Sequence, residues 1–333
     1  MNKIAKKAIK ITAIVLGTIV ALFLVLYAVL AIIRSIAYKE SMKLREYVCT
    51  IPEIGSGYAP QGIGYSEEQD LYIMTGYDKD GNTVLYLVKE NVPTRVYLAD
   101  ETGGELKGHA GGVTCTKDYV YIANGYRLDV YSLNELMNAN GNRISALSHF
   151  SVDNSASFCF SDNENIYVGE FYRPGNYETD SAHHYVTPNG DENKAIVSCY
   201  PLDADGAIDA VSPKYAISIT GLVQGFAVKD GTFILSRSYG LKNSQIEYYS
   251  ELKEDGATVK ITFKLEPERG EMQIPLYYLD STNLVKSLTL PAFSEDLTVK
   301  GDRVIVTNES ACNKYIVGKL FAGNKVYSYP ISI

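Results

Sequence analysis

The sequence has little of what would assign a chain to a known chemistry. It contains no tryptophan and only five cysteines in 333 residues. These cysteines are odd in number and form no CxxC or Cys/His cluster, which excludes a disulfide framework and a cysteine-based zinc site. We interpret them as small buried hydrophobic residues, with Cys49–Cys312 as the one pair to test for a bond. No GxSxG, HExxH or phosphate-loop motif occurs either, so no motif predicts an enzyme class.

Acidic residues are absent from the first 39 positions, and residues 11–33 carry no charge at all. At about 1.5 Å per residue this stretch spans roughly 34 Å as a helix, enough to cross a hydrocarbon core of about 30 Å. Lys3, Lys6, Lys7 and Lys10 precede it, which favours a cytoplasmic N-terminus. The alternative is a cleaved signal peptide, although its apolar region is usually only about 7–15 residues long.

This segment divides the chain into four predicted parts. They are a basic cytoplasmic tail (1–10), a transmembrane helix (11–33), a linker (34–43) and an extracytoplasmic domain (44–333) that ends up outside the cell membrane. Residues 1–39 hold six of the 31 basic side chains, which leaves 25 basic against 39 acidic groups beyond them, a net charge near −14. Such a surface repels phosphate backbones, so nucleic acid is not a predicted partner.

A short phrase recurs five times in the outer domain: a small or amide residue, an apolar strand, a polar turn, and a second strand that ends near a tyrosine. The copies are APQGIGYSEEQDLYIMTGY (59–77), HAGGVTCTKDYVYIANGY (109–126), NSASFCFSDNENIYVGEFY (154–172), LVQGFAVKDGTFILSRSY (222–239) and FSEDLTVKGDRVIVTNES (293–310). Internal repeats of this kind indicate stacked supersecondary units that bury a continuous core together.

Further strands follow each phrase and complete the predicted fold. Third strands are predicted at 82–88, 127–133, 195–202, 275–281 and 325–331, and fourth strands at 94–100, 144–152, 214–220 and 285–292. The missing fourth strand of the last repeat is supplied by LREYVCTIP (44–52). The sequence therefore predicts an all-β chain, a five-bladed β-propeller closed by an N-terminal strand, because such closure removes exposed sheet edges. Short helices are expected only at 132–138 and in the linker, and insertions at 173–194 and 240–272, the second with its own hairpin.

The phrase PQGIGYSEEQDLYIMTGY resembles the NHL-type propeller repeat, and the chain is similar in pattern to the lactonase-like propeller superfamily. The resemblance implies that the first strands line a central channel and that their starts form the ligand-binding face. It also implies a channel calcium, held in the lactonase-type proteins by Glu, Asn and Asp side chains at the strand starts. Here the aligned positions are Gln61, His109, Asn154, Gln224 and Glu295 or Asp296. With at most two carboxylates, both on one blade, no cofactor or metal is predicted, and calcium stays an alternative.

The same alignment predicts a ligand-binding mouth where second strands end beside first-strand starts. Glu170 and Arg237 are aligned second-strand positions, and Arg237 is expected between Glu170 and Glu309 as a ligand anchor. Capping of neighbouring backbone groups is the competing interpretation of these polar residues. The complete predicted site consists of Gln61, His109, Glu170, Gln224, Arg237, Glu295, Asp296, Glu309, Tyr77, Tyr126, Tyr172 and Tyr239.

Two functions are compatible with this sequence. The first is a membrane-anchored binding or scaffolding module of the cell envelope that recognises a glycan, a peptide, another small molecule or an envelope protein. The second is a hydrolase, of lactones or esters with a metal or of glycosides with a carboxylate pair. A glycosidase pair would come from separate blades at about 5–9 Å, and only Glu170 with Glu295, Asp296 or Glu309 could supply it. We favour binding over catalysis.

Overall fold

A computed structural model describes residues 3–315, 318–321 and 323–332, and the chain divides into two units, residues 1–43 and 44–333. The first unit contains helix α1 (Lys3–Ala37) and continues into α2 (Lys39–Leu44). Helix thus extends beyond both ends of the predicted span, into the expected tail and linker. Within the described part of the chain, one helix, Ile4–Ala37, is long and apolar enough to cross a membrane, with an 18-residue stretch whose mean hydropathy is 2.8.

The second unit is built mainly from strands. The first half contains β1 (Glu46–Thr50), β2 (Ala59–Ser66), β3 (Leu71–Tyr77), β4 (Thr83–Lys89), β5 (Val92–Ala99), β6 (Val113–Cys115), β7 (Tyr119–Ala123), β8 (Gly125–Ser132), β9 (Arg143–Ser145), β10 (Ser148–Ser161), β11 (Asn165–Glu170) and β12 (Tyr185–Val186). The second half contains β13 (Glu192–Asn193), β14 (Ala195–Pro201), β15 (Tyr215–Ile219), β16 (Val223–Lys229), β17 (Thr232–Arg237), β18 (Ser244–Tyr249), β19 (Thr258–Thr262), β20 (Glu271–Tyr278), β21 (Leu284–Leu290), β22 (Ser294–Lys300), β23 (Arg303–Asn308) and β24 (Lys325–Pro330). The prediction of a mostly β chain after an apolar helix is confirmed.

Short helical segments interrupt the strands. Helix α3 (Leu133–Met137) forms where the sequence predicted it, because the Ser132 hydroxyl accepts a hydrogen bond from the Glu135 N–H and caps its first turn. Three 3₁₀ turns lie at Ser181–His183, Pro267–Arg269 and Gly318–Phe321.

Each repeated phrase forms an antiparallel pair of strands, and the first strands contact one another in turn. The pairs are β2–β3, β6–β7, β10–β11, β16–β17 and β22–β23. Strand β2 contacts β6, β6 contacts β10, β10 contacts β16, β16 contacts β22, and β22 contacts β2 again. This cyclic order brings the starts of all five phrases into one region.

Glycine recurs in the first strands because neighbouring first strands approach too closely for a side chain. A Cβ atom at Gly112 would lie 2.4 Å from the Cα of Phe158, and one at Gly225 would lie 2.7 Å from the backbone nitrogen of Leu297. Both distances are shorter than real Cβ contacts. The repeated glycine of the sequence phrase is therefore a packing requirement between repeats.

Strand β1 pairs antiparallel with β24 and completes the sheet of order β1-β24-β23-β22. The predicted pairing of the N-terminal strand with the last repeat is present. The same segment joins the last sheet to the first through a hydrophobic cluster that includes Cys49, Ile51, Ile63, Met74, Ile305 and Val326. Cys49 and Cys312 are both buried in this cluster and both are free thiols.

The fourth repeat departs from the prediction. Its third strand is β18, which lies between β17 and β21, whereas the predicted 275–281 segment falls mostly in β20. Strands β19 and β20 form the expected hairpin of the second insertion, and β20 pairs in parallel with β15 of the preceding repeat. The sequence-based prediction placed SQIEYY in the insertion at 240–272, although Gln245 and Glu247 alternate there with Ile246 and Tyr248.

Strand β10 belongs to two repeats, because its two halves pair with different strands. Residues 148–151 pair with β8, the register then shifts, and residues 156–161 pair with β11. The two insertions also contact each other, since β19 packs against the 3₁₀ turn Ser181–His183. The insertions therefore form a joint structure beside the third repeat.

Candidate functional site

Four of the five first strands contain a β-bulge at equivalent positions. The register against the second strand shifts at Gln61 in β2, Ser157 in β10, Gln224 in β16 and the pair Glu295–Asp296 in β22. A bulge leaves its extra residue unpaired and re-aims the side chain. Gln61, Ser157, Gln224 and Glu295 all line one cavity. The bulges therefore direct side chains from four repeats to a common mouth.

The cavity has a volume of about 500 Å³, within the usual size of small-molecule sites. Seven residues of the predicted site line it: Gln61, Tyr77, His109, Gln224, Tyr239, Glu295 and Glu309. The sequence did not identify several others, of which the main ones are Ser155, Phe171, Tyr177, Lys314 and Tyr315. Most of these lie in loops or next to an aligned position, where the repeat alignment gave no signal.

A carboxyl pair, Glu295 and Glu309, forms the acidic part of the cavity. Both residues are buried, with 5% and 6% of their surface exposed. Burial raises the pKa of Glu295 well above its ordinary value, and the neighbouring Glu309 charge raises it further. Burial also raises the pKa of Glu309, but hydrogen bonds from Glu295, Tyr315 and Gln61 and the charge of Lys314 oppose that rise. The two carboxyls hydrogen-bond to each other, which requires that they share one proton.

Lys314 balances the charge of this carboxyl pair. Its ammonium donates to the Tyr77 hydroxyl at 2.5 Å and lies 5.0 Å from the centre of the Tyr77 ring. Burial lowers the pKa of Lys314, but Tyr77 and Glu309 outweigh that effect and raise it overall. The His109 ring stacks on Tyr77 at 4.9 Å, and its pKa is lowered by burial and then by Lys314. His109 is therefore neutral near pH 7.

The aligned tyrosines hold loops and insertions in place. Lys264 of the second insertion donates to the Tyr126 hydroxyl at 2.7 Å, and the Arg173 guanidinium lies 4.0 Å from the centre of the Tyr239 ring. The Tyr172 ring contacts His184 edge-on at 5.6 Å. Tyr126 and Tyr172 do not line the cavity, whereas Tyr77 and Tyr239 do. The four aligned tyrosines, which were predicted to bind a ligand, thus mainly contact basic side chains of the protein itself.

Arg237 and Glu170 do not face each other, which corrects the predicted anchor. The Arg237 guanidinium donates to Glu247 at 2.8 Å on the adjacent strand β18. Glu170, with 1% of its surface exposed, contacts the Nδ1 atom of His183 instead. The Asp180-capped 3₁₀ turn of the first insertion places His183 in the core. Arg237 and Glu170 both lie outside the cavity lining.

The Glu170–His183 contact ties the first insertion to the third repeat. Burial lowers the pKa of His183, but Glu170 outweighs it, so the pKa of His183 is raised. Burial raises the pKa of Glu170 as well. Nearby Asp153 is also buried and accepts hydrogen bonds from Tyr200 at 2.6 Å and Ser198 at 2.8 Å. These contacts assign Glu170 a structural role.

Asp296 is completely buried and connects three repeats. Its Oδ2 atom accepts hydrogen bonds from the backbone of Ile63 at 3.1 Å and Val113 at 3.4 Å, while its Oδ1 atom has no partner among the described residues. Burial raises its pKa well above the ordinary value. Asp296 therefore connects neighbouring repeats and does not line the cavity.

Two residues aligned with the calcium ligands of lactonase-type propellers use their amide N–H groups in hydrogen bonds within the fold. Asn154 donates its amide to the backbone of Val168 at 2.8 Å, and Gln61 donates to Glu309 at 3.0 Å. Within the described ranges, no group of three or more His, Cys, Asp or Glu side chains is placed to hold a metal ion.

The fold and the cavity can be compared with known proteins. No protein-family model matches the sequence, and no curated protein is similar to it. Solved structures similar to the chain include a luciferin-regenerating enzyme (10% identity, TM-score 0.41, covering 84% of this chain and 94% of that one). They also include a gluconolactonase from Xanthomonas campestris (13%, 0.37, 82% and 86%) and BamB from Moraxella catarrhalis (8%, 0.35, 81% and 85%). Identities and TM-scores this low carry no argument about activity.

Proposed function

We propose that this chain is a membrane-anchored, five-bladed β-propeller that binds a small polar ligand at the mouth formed by its first strands. The main support for this proposal is the set of four β-bulges in the first strands β2, β10, β16 and β22. Bulges interrupt the strand ladder and are concentrated next to functional sites. Four of them at equivalent positions, all aimed into one cavity, exceed what packing of the repeats requires.

The five-blade count is supported by the cyclic contacts of β2, β6, β10, β16 and β22. Each of these strands begins a row of at least four neighbouring strands in its sheet, and β1 supplies the outer strand of the last row. A closed ring of such sets removes the exposed edges that would otherwise promote aggregation.

Binding is favoured over hydrolysis by the placement of the carboxyl groups. Among the described lining residues, the acidic side chains are Glu295 and Glu309, which belong to one repeat and hydrogen-bond to each other. Glycoside hydrolysis needs carboxyls about 5 Å or more apart. Glu170, the partner that such a mechanism required, is buried against His183.

The proposal predicts that blocking the mouth abolishes ligand binding. Ser155 lines the cavity, so Ser155→Trp should fill part of it, whereas Ser250→Trp at an exposed position should not. Ligand-observed NMR with a panel of neutral sugars, amino acids and small carboxylates would measure binding to the full-length protein. We expect at least one compound to bind the wild type and Ser250→Trp but not Ser155→Trp. Equal binding to all three proteins, or no binding by the wild type, would contradict the proposed function.

Anchoring is supported by α1, which is apolar enough to span and is preceded by lysines. Full-length protein should therefore remain with membranes after carbonate extraction, with the propeller outside the cell. A charged residue at the centre of a spanning helix costs about 2.5–3.5 kcal/mol. We expect Val20→Asp combined with Leu24→Lys to release the protein.

The matched control for the anchor is Val211→Asp with Leu241→Lys, because both positions are exposed in the second unit. This variant should stay with the membrane. Release of the wild type by carbonate, or mature protein that begins near Ile32, would show that the helix is not a retained anchor.

A further inference from the structure

The charge of the cavity restricts its ligand to neutral molecules. The Glu295–Glu309 pair holds one proton and so carries one negative charge, which Lys314 compensates. His109 is neutral, and no other charged side chain is among the described lining residues. A phosphate or a free cation would leave the cavity with a net charge beside the buried carboxyls Glu295 and Glu309.

The polar groups that remain unpaired are many and close together. The Gln224 amide, the Ser155 hydroxyl and the His109 ring nitrogens make no hydrogen bond to the described residues, and all three line the cavity. An ionised carboxylate has about four acceptor positions, and Glu309 uses three of them for Glu295, Gln61 and Tyr315. One acceptor position is left for a donor from the ligand. A ligand that satisfies these groups needs several donors and acceptors within a small volume.

Aromatic rings form two groups in the lining. Phe171 contacts Tyr177 edge-on at 5.4 Å and Tyr239 at 6.2 Å, while Phe293 contacts Tyr315 in a tilted arrangement at 4.8 Å. Ring faces pack well against flat apolar surfaces. The ring of a saccharide has such a surface in its C–H groups and carries hydroxyl groups around its rim, which act as both donors and acceptors.

We propose that the cavity binds a neutral saccharide of one or two rings, with its hydroxyl groups hydrogen-bonded to Gln224, Ser155 and Glu309. This assignment rests on the proposed binding function and specifies the class of ligand. A purely apolar ligand would leave Gln224 unpaired in a desolvated site, at a cost of about 1–3 kcal/mol.

The test compares matched sugars on the full-length protein in a detergent without a sugar headgroup, since a maltoside or glucoside would compete. Isothermal titration would measure glucose, galactose, N-acetylglucosamine and cellobiose against glucosamine and glucose 6-phosphate. We expect at least one neutral sugar to bind, and its charged analogue to bind at least tenfold more weakly. Gln224→Leu should weaken the neutral sugar at least tenfold without changing the melting temperature, because Gln224 has no internal hydrogen bond to lose.

Gln273→Leu is the control, because Gln273 is an exposed amide on β20, outside the cavity. Absence of neutral-sugar binding, or binding that Gln224→Leu leaves unchanged, would overturn the saccharide assignment. If the Ser155→Trp comparison still identifies another ligand at the mouth, the binding function stands and only the ligand class is wrong. If that comparison also fails, both are wrong.

Discussion

Deleting residues 45–50 from the full-length chain is expected to lower the free energy of unfolding of the second unit by at least about 5 kcal/mol. The deletion removes β1 and with it the buried Cys49 side chain, and it pulls Ile51 away from its cluster. Each fully buried large apolar side chain contributes about 1.5–3 kcal/mol, and each lost ladder hydrogen bond about 1 kcal/mol. The deletion also exposes the edge of β24, the strand that pairs with β1. Since domains are stable by only about 5–15 kcal/mol, the variant should be close to unfolding.

Chemical denaturation followed by tyrosine fluorescence would measure this effect. A control deletion of equal length, residues 5–10, lies in the first unit and should leave the unfolding midpoint of the second unit unchanged. If the two deletions behave alike, β1 is not required to complete the last sheet.

Much of the fold could be predicted because the structural repeat is visible in the sequence as a recurring pattern of residues. Gly62, Gly112 and Gly225 recur because the first strands approach within contact of each other's backbone. The pairing of the 44–52 segment with the last repeat followed from the absence of a fourth strand there. The third strand of the fourth repeat was misassigned because β18 and β20 are both apolar enough to form strands, and only the pairing of β18 with β17 and β21 decides between them.

The site was harder to predict, because its geometry depends on the backbone register rather than on residue types. Gln61 and Gln224 were selected as strand starts, but nothing in the sequence indicated that bulges turn them into the cavity. Two ion-pair partners were missed too, one on the adjacent strand and one in the first insertion. Arg237 was expected beside Glu170, but Glu247 on the adjacent strand is a nearer carboxylate, and His183 from the insertion takes Glu170.

Buried carboxyl groups should make the second unit more stable in mild acid than at neutral pH. Burial is the largest cause of a raised pKa in each of six carboxyls: Asp129, Asp153, Glu170, Glu295, Asp296 and Glu309. Between the ordinary carboxyl pKa of about 4 and these raised values, the folded chain binds more protons than the unfolded chain. Protons therefore favour folding in that window. The raised pKa of His183 acts in the same direction.

The more exposed carboxyls act in the opposite direction, but at lower pH. Hydrogen bonds and ion pairs lower the pKa of Asp70, Asp100 and Asp191, so the stability they contribute is lost only as the pH falls below about 4. The buried and the exposed carboxyls thus affect the stability of the second unit over separate pH ranges. The free energy of unfolding should rise as the pH falls from 8 to 5 and should decrease again below about 4.

Urea unfolding of the full-length protein at pH 5, 6, 7 and 8 would test this expectation. Each raised pKa unit that is titrated in this window changes stability by about 1.4 kcal/mol, so several groups together should give a clear slope. Glu170→Gln keeps a polar partner beside His183 but cannot titrate, and it should make the slope smaller. Asp205→Asn, at an exposed turn, should leave the slope unchanged. A stability that is flat or that increases from pH 5 to 8 would show that the buried carboxyls are ionised in the folded protein, and with them the pair at the mouth of the cavity.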